Sequence, residues 1–556
     1  MVEPFPKQEL RDKKKDAPDF SPGIRLFGRR FPSDQTAPDL LLELLLVAIS
    51  PKSFSENAIV NDALFPELDR LRSVRSGCSE GDSSNVLAYA PKARLNLKLL
   101  AFLGASKLDT RHETHRQQYR QLIRQFIQPE MLVTIGAFEA HDVFRTIENL
   151  FVGFQGAGAN RTWCAQSFLP LARELIAGES IWQETKAGGK VASWSDARTY
   201  FSHNQQIFLA RGGELLYLQL CNALRQDAST IEQWVNALEV RSLNSRESEP
   251  SDLYSELTQG LESVLLSCPE TVGKLAEFLD TGLDAETAQK TDFDSHNERR
   301  FATCGWCPEE CWPEGYLFAV EISRLCHATI DPIERLELLE IACAMQVLRS
   351  LCSQAARYTT RSAEATAAAG PLGYVWVISD PAGKHTAVKQ ISRRNVNAVQ
   401  RLIYDALRDP RIKDFYASFD QDEVEKVYAD ADRRYGHKLF LTVAKRLGFI
   451  TPRRGAGARF VLNDRLLRYL VLSTIRPGER VTYDSFKKLL FAHHGLAVDD
   501  QAIGQSCLWS GTSRLTTLGG NADEWLLQML DASGVLIRLS DACSLVTNPF
   551  GGDVSA

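Results

Sequence analysis

The sequence predicts a mainly α-helical, multidomain protein with a small β-hairpin element and C-terminal domains of mixed α+β structure. At 556 residues the chain is far longer than one hydrophobic core usually spans, so several domains are expected. Apolar residues recur at helical spacing through the first two thirds, and short β-rich runs begin only after residue 370. Polar stretches rich in glycine and serine separate these blocks, as domain boundaries do.

The composition is that of an ordinary water-soluble protein, with 44% hydrophobic residues, 24% charged residues and a net charge of -6. The most apolar run, residues 39–50, is too short to span a bilayer and contains Glu43, so no membrane partner is expected. Residues 1–22 are charged and lack a signal-peptide core, which predicts a disordered tail. The twelve cysteines lie mostly singly in apolar contexts, which indicates a reducing, cytoplasmic location.

Helical periodicity defines the first two predicted domains. An N-terminal helical domain covers 23–240, and a second helical domain that carries a cysteine cluster covers 253–360. The polar, charged stretch between them, from 240 to 252, has the composition of a linker. A small-residue stretch at 361–370 is the next linker candidate.

A connector of one hairpin and one helix is predicted for residues 371–424. The segment 373–392 has a β-rich run, a Pro-Ala-Gly turn and a second, more polar run, which is typical of a β-hairpin. Helical spacing resumes in the following residues.

Basic residues are concentrated in one later segment of this acidic chain. From Arg433 to Arg468 there are ten Lys or Arg residues and one acid, Asp464, so the local charge is +9 in 36 residues. Such a segment would bind DNA by releasing counterions from the phosphates. The predicted DNA-binding residues are Arg433, Arg434, Lys438, Lys445, Arg446, Arg453, Arg454 and Arg459.

The order of elements around this segment repeats. KLFLTVAKRLGFI predicts an amphipathic helix, and ITPRRGAGARFVLN predicts a strand, a basic turn and a second strand. A helix, a Pro-Gly turn and a helix capped by Thr482 or Asp484 follow, and EWLLQMLDASGVLIRLSDACSLVTN again predicts a helix, a turn and two strands. This region resembles tandem winged-helix domains, at 425–475 and 476–556. The resemblance implies duplex DNA as a partner of the basic first unit, although winged helices also serve as protein-docking modules.

Three cysteines within eight residues form the strongest candidate metal site. The thiolates of Cys304, Cys307 and Cys311 could occupy three corners of a tetrahedron around a structural zinc ion. Cys326 is the predicted fourth ligand, with His327 and His296 as alternatives. A reduced cluster without metal and an iron–sulfur cluster are the competing interpretations.

Catalytic motifs are weak throughout the chain. There is no GxxxxGK[ST] loop, and the Gly156–Gly158 segment lacks the third glycine of a nucleotide-binding turn. Asp380 and Lys389 suggest a nuclease, but Ala387 occupies the position where the second acid is expected. Four arginines in glycine- and aromatic-containing clusters either bind phosphate or, as we favour, tie domains together: Arg29, Arg30, Arg161 and Arg211.

The sequence therefore predicts a non-enzymatic, cytoplasmic DNA-binding or adaptor subunit that works with a separate ATPase, helicase or nuclease subunit. In general style the whole chain resembles an accessory subunit of a bacterial genome-defence (anti-phage) system, which implies a multiprotein antiviral complex. Two alternatives stay open. One is a nuclease or other enzyme with unrecognised catalytic residues, and the other is a winged-helix transcriptional regulator.

Overall fold

The computed structural model describes part of the chain: residues 21–28, 31, 35–55, 58–60, 63–73, 87–89, 164–166, 175, 178–182, 201–202, 212–238, 250–267, 302–305, 307–359, 363–416, 420–510, 521–540 and 543–551. These residues are mainly helical and their strands are short, which confirms the mainly α part of the predicted fold class. None of the helices among them is long and apolar enough to cross a membrane. The predicted tail, except for its last two residues, lies outside the described residues.

Nine helices are described before the first residue of the predicted connector. They are α1 (Pro22–Phe27), α2 (Ala37–Ile49), α3 (Leu68–Ser73), α4 (Gly212–Leu224), α5 (Ala228–Ala237), α6 (Pro250–Leu265), α7 (Trp312–His327), α8 (Pro332–Tyr358) and α9 (Ala363–Ala368). Eight more follow in the described residues. They are α10 (Thr386–Leu407), α11 (Pro410–Lys413), α12 (Gln421–Arg434), α13 (His437–Arg446), α14 (Asp464–Thr474), α15 (Tyr483–His494), α16 (Asp500–Trp509) and α17 (Glu524–Ala532).

The described strands form five small sheets. The N-terminal strands are β1 (Lys52–Ser55), β2 (Ala58–Val60), β3 (Ala88–Tyr89), β4 (Cys164–Gln166), β5 (Gly178–Trp182), β6 (Phe201–Ser202) and β7 (Ala302–Thr303), in sheets of order β2-β1-β3-β7 and β4-β5-β6. The later strands are β8 (Trp376–Val377), β9 (Ile450–Thr451), β10 (Arg459–Phe460), β11 (Arg480–Thr482), β12 (Leu496–Ala497), β13 (Leu536–Ser540) and β14 (Cys543–Thr547). These form a β9–β10 pair, a parallel β8–β12 pair and a sheet of order β11-β14-β13.

The N-terminal core is a group of helices that pack around α4. Every residue of α4 is buried, and α2 and α7 lie against it, while α6 packs on α7. Gly213 allows the close approach of α2, because a Cβ there would lie 2.5 Å from the backbone nitrogen of Leu44. Helices from both sides of the predicted 240–252 linker therefore contact one another, and the predicted domain boundaries stay predictions.

The hairpin predicted at 373–392 is wrong. Its first run forms β8, but its second run begins the 22-residue helix α10. Val388, Ile391 and Val399 recur at helical spacing and are buried, so the apolar pattern of this run follows a helical and not a strand period. The turn between the runs is real, because both carboxylate oxygens of Asp380 accept backbone N–H groups, at 2.8 Å each.

The C-terminal region contains the predicted elements in their order, together with β11, β12 and α16, which the sequence did not predict. In the first unit, residues 425–475, α12 and α13 precede the β9–β10 pair. In the second unit, residues 476–556, β11, α15, α16 and α17 precede β13 and β14. The last strand, β14, lies in the middle of its sheet, and Val481 and Leu536 both pair with Val546.

A buried ionic pair between α7 and α8 is contacted by side chains of the C-terminal region. Nη2 of Arg349, on α8, lies 2.5 Å from Oε1 of Glu321, on α7, and both side chains are almost completely buried. Tyr469 of α14 donates its hydroxyl to the other carboxylate oxygen at 2.9 Å. Burial alone would raise the pKa of Glu321, but Arg349 and two histidines outweigh it and lower that pKa to about 2.

The two histidines end helix α15 beside this pair. Nη2 of Arg349 donates to Nδ1 of His494 at 2.9 Å, so this imidazole is the neutral acceptor and its Nε2 faces Glu321 at 3.5 Å. Nδ1 of His493 lies 3.7 Å from the same carboxylate. Burial lowers the pKa of His493, and it lowers the pKa of His494 well below its ordinary value. Burial therefore favours the neutral form of both imidazoles in the folded protein.

Candidate nucleic-acid interface

The basic loop of the sequence is an exposed turn on a two-stranded base. Thr451 pairs with Arg459 and Ile450 with Phe460, and residues 452–458, the wing turn, connect the two strands. Gly455 and Gly457 have φ angles of 92° and 87°, a region that residues with a Cβ rarely adopt. A Cβ on Gly455 would meet nothing within 4 Å, so the tip of the turn points into solvent.

The base of the wing turn is anchored in an aromatic core. Phe460 is buried, and its ring centroid lies 5.0 Å from that of Phe449 and 6.2 Å from that of Trp376. The backbone N–H of Phe460 donates to Oγ of Ser392 on α10 at 2.9 Å, and its carbonyl accepts the hydroxyl of Ser379 at 2.9 Å. The structure thus holds both ends of the turn rigidly and leaves its tip exposed.

Arg459 belongs to this anchored base rather than to the exposed tip. Its guanidinium donates to Oγ of Ser379 at 3.1 Å and to the carbonyl of Pro381 at 3.1 Å. Burial lowers the pKa of Arg459, Asp380 partly offsets this effect, and the positive charge of Arg393 adds to the lowering. These bonds connect β10 to the turn that precedes α10.

Arg453 and Arg454 occupy the wing turn itself. Both are exposed, and no described residue forms an ion pair or a side-chain hydrogen bond with either of them. These two arginines are therefore the members of the predicted set that the fold leaves most available to a polyanion.

The other predicted DNA-binding residues have different surroundings. Arg433 and Arg434 share one carboxylate, because their guanidinium groups lie 2.6 Å and 3.0 Å from Oδ1 of Asp430. Arg446 donates to the backbone carbonyl of Gln35 at 3.2 Å, which ties α13 to the N-terminal part of the chain. Lys438 is exposed and Lys445 is half-buried, both on α13, and neither has a carboxylate partner among the described residues.

Four basic residues near the wing turn were missed from the sequence. They lie in the turn before α10 and on its first three turns: Lys384, Lys389, Arg393 and Arg394. The signal that could have revealed them is the run of residues 381–404, which has five basic residues and no acid. It was overlooked because the first half of the run was interpreted as a strand.

Asp380 is not arranged for catalysis. The residue is buried, and its two carboxylate oxygens accept the backbone N–H groups of Ala382 and Lys384. A metal-dependent nuclease needs a second carboxylate near the first, and residue 387 is alanine. The turn uses Asp380 to fix its own backbone.

The predicted zinc ligands lie in two separate places. Cys311 precedes the first residue of α7 and Cys326 is the last but one residue of that helix, so about 22 Å separate them at 1.5 Å per residue. One zinc ion cannot bind both, since Zn–S bonds are about 2.3 Å long. His327 is excluded as the fourth ligand for the same reason. Cys326 instead packs against Gly260 of α6.

The remaining three cysteines lie between β7 and α7, and Cys307 and Cys311 have side-chain partners. Nδ2 of Asn222 lies 3.4 Å from Sγ of Cys307, and Nη1 of Arg357 lies 3.8 Å from Sγ of Cys311. Among the described residues no group of three or more His, Cys, Asp or Glu side chains is placed to hold a metal ion. Zinc bound by Cys304, Cys307 and Cys311 stays a prediction, and His296 lies outside the described residues, as do Arg29, Arg30, Arg161 and Arg211.

Helix α17 of the second unit presents a different surface. The exposed side chains of α17 include Glu524, Gln528 and Asp531, and the carboxylate of Asp531 pairs with Arg538 at 2.8 Å. On α15, Lys487 is bound by Asp523 at 2.8 Å and by Asp484 at 3.1 Å. Helix α17 and Lys487 therefore offer no unpaired positive charge, although Lys488 of α15 is exposed.

Comparison with protein-family models, with curated proteins and with solved structures found no match to this chain.

Proposed function

We propose that this chain is a DNA-binding adaptor subunit whose first C-terminal unit binds the phosphate backbone of duplex DNA. The observation that carries the proposal is the pair Arg453 and Arg454, exposed and without a carboxylate partner in the described chain, on a turn whose two ends are anchored. A rigid base keeps the cost of ordering the turn low, and exposed guanidinium groups suit phosphate oxygens.

The order of elements supports interpreting both units as winged helices. In the second unit, α14, β11, α15, α17, β13 and β14 follow one another, and the strand order β11-β14-β13 places the last strand in the centre. The first unit has the helix α13 followed by the β9–β10 pair. In this interpretation the wing turn of the first unit contacts DNA.

The surface of the second unit supports an adaptor role. Because α17 exposes Glu524, Gln528 and Asp531, the surface of this helix suits a protein partner better than DNA. The partner we propose is the separate ATPase, helicase or nuclease subunit of a cytoplasmic, bacterial anti-phage complex. An enzyme is the weaker alternative, since the carboxylate of Asp380 is occupied by its own turn.

The proposed contact is to phosphates and not to bases. The test therefore compares duplexes of different sequence and varies the salt concentration. Replacing Arg453 and Arg454 by Ala should weaken binding equally on two unrelated duplexes, measured by fluorescence anisotropy between about 50 and 200 mM salt. The slope of log affinity against log salt should become shallower by about 1.8, because each lost phosphate contact contributes about 0.9.

The matched control removes the same charge from the same unit. Replacing Arg433 and Arg434 by Ala also removes two arginines, but these already share Asp430. The control should change the salt slope by less than half as much. Unchanged affinity and slope in the wing-turn variant would refute DNA binding through this turn. An equal loss in both variants would show a response to net charge alone.

A further inference from the structure

A second basic surface lies beside the wing turn, in the turn before α10 and at the start of that helix. Lys384 and Arg393 are exposed and Lys389 is half-buried, and we call these three residues the α10 cluster. They belong to the run of residues 381–404, which contains five basic residues and no acid. These three residues lie outside residues 425–475, the segment of the first unit.

Short distances place the α10 cluster against the wing turn. A Cβ on Gly457, in the wing turn, would lie 3.0 Å from Nη2 of Arg393. A Cβ on Gly383 would lie 3.4 Å from Nζ of Lys389 and 3.5 Å from Nη2 of Arg459. Residues far apart in the sequence therefore form one continuous basic surface.

The backbone holds the two parts of this surface in a fixed arrangement. Ser392 of α10 accepts the N–H of Phe460, and Ile378 forms an isolated parallel bridge with Phe460. Arg459 adds its bonds to Ser379 and Pro381. These contacts connect the end of the wing turn to the start of α10.

The α10 cluster has no ion-pair partner in the described chain. No described carboxylate forms an ion pair with Lys384, Lys389 or Arg393. The charge of Asp380 acts on Arg459, and both of its oxygens accept backbone N–H groups of its own turn. Like charges held this close repel one another, so an external polyanion would stabilise them.

Helix α13 is the element that a winged-helix resemblance would place on the DNA, and it is less suited to that position. Leu439, Phe440, Val443 and Ala444 are buried in the core, and Arg446 is bound to the N-terminal part of the chain through Gln35. Among its predicted contacts only Lys438 is both exposed and free of a partner in the described residues.

We infer that the α10 cluster, and not α13, is the second phosphate-contacting element, and that the wing turn and the cluster together bind duplex DNA. This inference rests on the proposed function of the wing turn. Binding of single strands usually requires exposed aromatic side chains on which bases stack. The described residues of this surface have none, because Trp376, Phe449 and Phe460 are buried.

Three variants of the full-length chain test the inference in the same titration. Replacing Lys384, Lys389 and Arg393 by Ala should flatten the salt dependence of duplex binding by about 2.7, at about 0.9 per phosphate contact. The K438A/K445A variant of α13 should lose no more than about threefold in affinity and keep the salt slope. The K384Q/R393Q variant keeps Lys389 and replaces two exposed cations by neutral polar side chains, so it should fold normally and flatten the slope by about 1.8.

The outcomes separate the two proposals. If the α10 variants keep the slope of the unmodified protein while R453A/R454A loses it, the α10 cluster is not a contact and the proposed function stands. If the K438A/K445A variant of α13 loses more duplex affinity than the α10 variants, α13 and not the α10 cluster is the second contact element. If all variants keep their slopes, both proposals fail. Equal affinity for duplex DNA and for an oligo-dT single strand would overturn the assignment of duplex as the ligand.

Discussion

Two sets of arginines in this protein have opposite surroundings. Arg349 is completely buried between helices, with Glu321 at 2.5 Å and His494 at 2.9 Å. Arg453 and Arg454 are exposed on a glycine turn and have no partner in the described chain. The first charge joins parts of the fold, and the second charges are available for a ligand.

The difference shows what a count of basic residues leaves out. A buried guanidinium needs a carboxylate because removing it from water is costly, so its charge is not available to a phosphate. An exposed guanidinium contributes little to stability and keeps its binding capacity. Within the basic segment, Arg433 and Arg434 are intermediate, since both are exposed and share Asp430.

The largest expected effect on stability comes from removing Arg349, the buried partner of Glu321. Replacing Arg349 by Met should lower the free energy of unfolding by about 3–5 kcal/mol, because Glu321 would stay buried without its counter-charge. Urea unfolding followed by circular dichroism measures it. The double variant R349M/E321Q should be more stable than R349M alone. A loss below about 1 kcal/mol in R349M would show that water reaches Glu321.

The second prediction concerns pH. Burial lowers the pKa values of His493 and His494 below the ordinary 6.5, so the unfolded state binds more protons as the pH falls below about 6.5. Stability is therefore fully present above this pH and is lost below it, by up to about 2.7 kcal/mol per pH unit for two histidines. Glu321, with its pKa lowered from 4.5 to about 2, adds a further loss between these two values.

Unfolding by urea at pH 7.5, 6.5, 5.5 and 5.0 would show this slope. The H493N/H494N variant should have a much flatter profile between pH 6.5 and 5.0, because neither asparagine titrates. An unchanged profile would mean that other groups, and not these histidines, determine acid sensitivity.

A smaller effect is expected at the base of the wing turn. Replacing Arg459 by Ala removes its hydrogen bonds to Ser379 and Pro381 and should destabilise the protein by about 1–2 kcal/mol. Duplex affinity should also fall, because the wing turn and the α10 cluster lose one of their connections. If R459A binds DNA less well at unchanged stability, Arg459 itself contacts phosphate.

The smallest effect should come from the exposed arginines. The R453A/R454A variant should unfold within about 0.5 kcal/mol of the unmodified protein, since neither side chain has a partner in the described chain. Equal urea midpoints, measured with the salt titration, would show that lost binding is not lost folding. A clear destabilisation would show that these arginines, like Arg349, stabilise the fold.

Local sequence signals predicted much of the C-terminal region. Helix α13, the two strands and the glycine turn at 453–459 follow from apolar spacing and from the glycines, and the structure confirms these elements. The hairpin at 373–392 failed because a short β-rich run outweighed the helical spacing of the residues after it.

The surroundings of charged and sulfur-containing residues could not be predicted. Whether Arg433 has a partner depends on Asp430 one helical turn away, and the position of Arg393 beside Gly457 depends on the tertiary fold. Cys326 seemed close to Cys311 because the two are near each other in the sequence. In the structure α7 begins directly after Cys311 and extends past Cys326, so the two cysteines lie at opposite ends of this helix.

The parallel pairing of β8 with β12 has a consequence for dividing this protein into pieces. Trp376 pairs with Leu496, so the entire first unit lies in the connection between two neighbouring strands. A fragment that stops at residue 475 would lack β12. The buried strand β8 would then lose the backbone partners that β12 provides. A truncation placed after residue 497 would keep this pair but would remove β14, the backbone partner of β11. DNA binding should therefore be mapped by substitutions in the full-length chain and not by deletion.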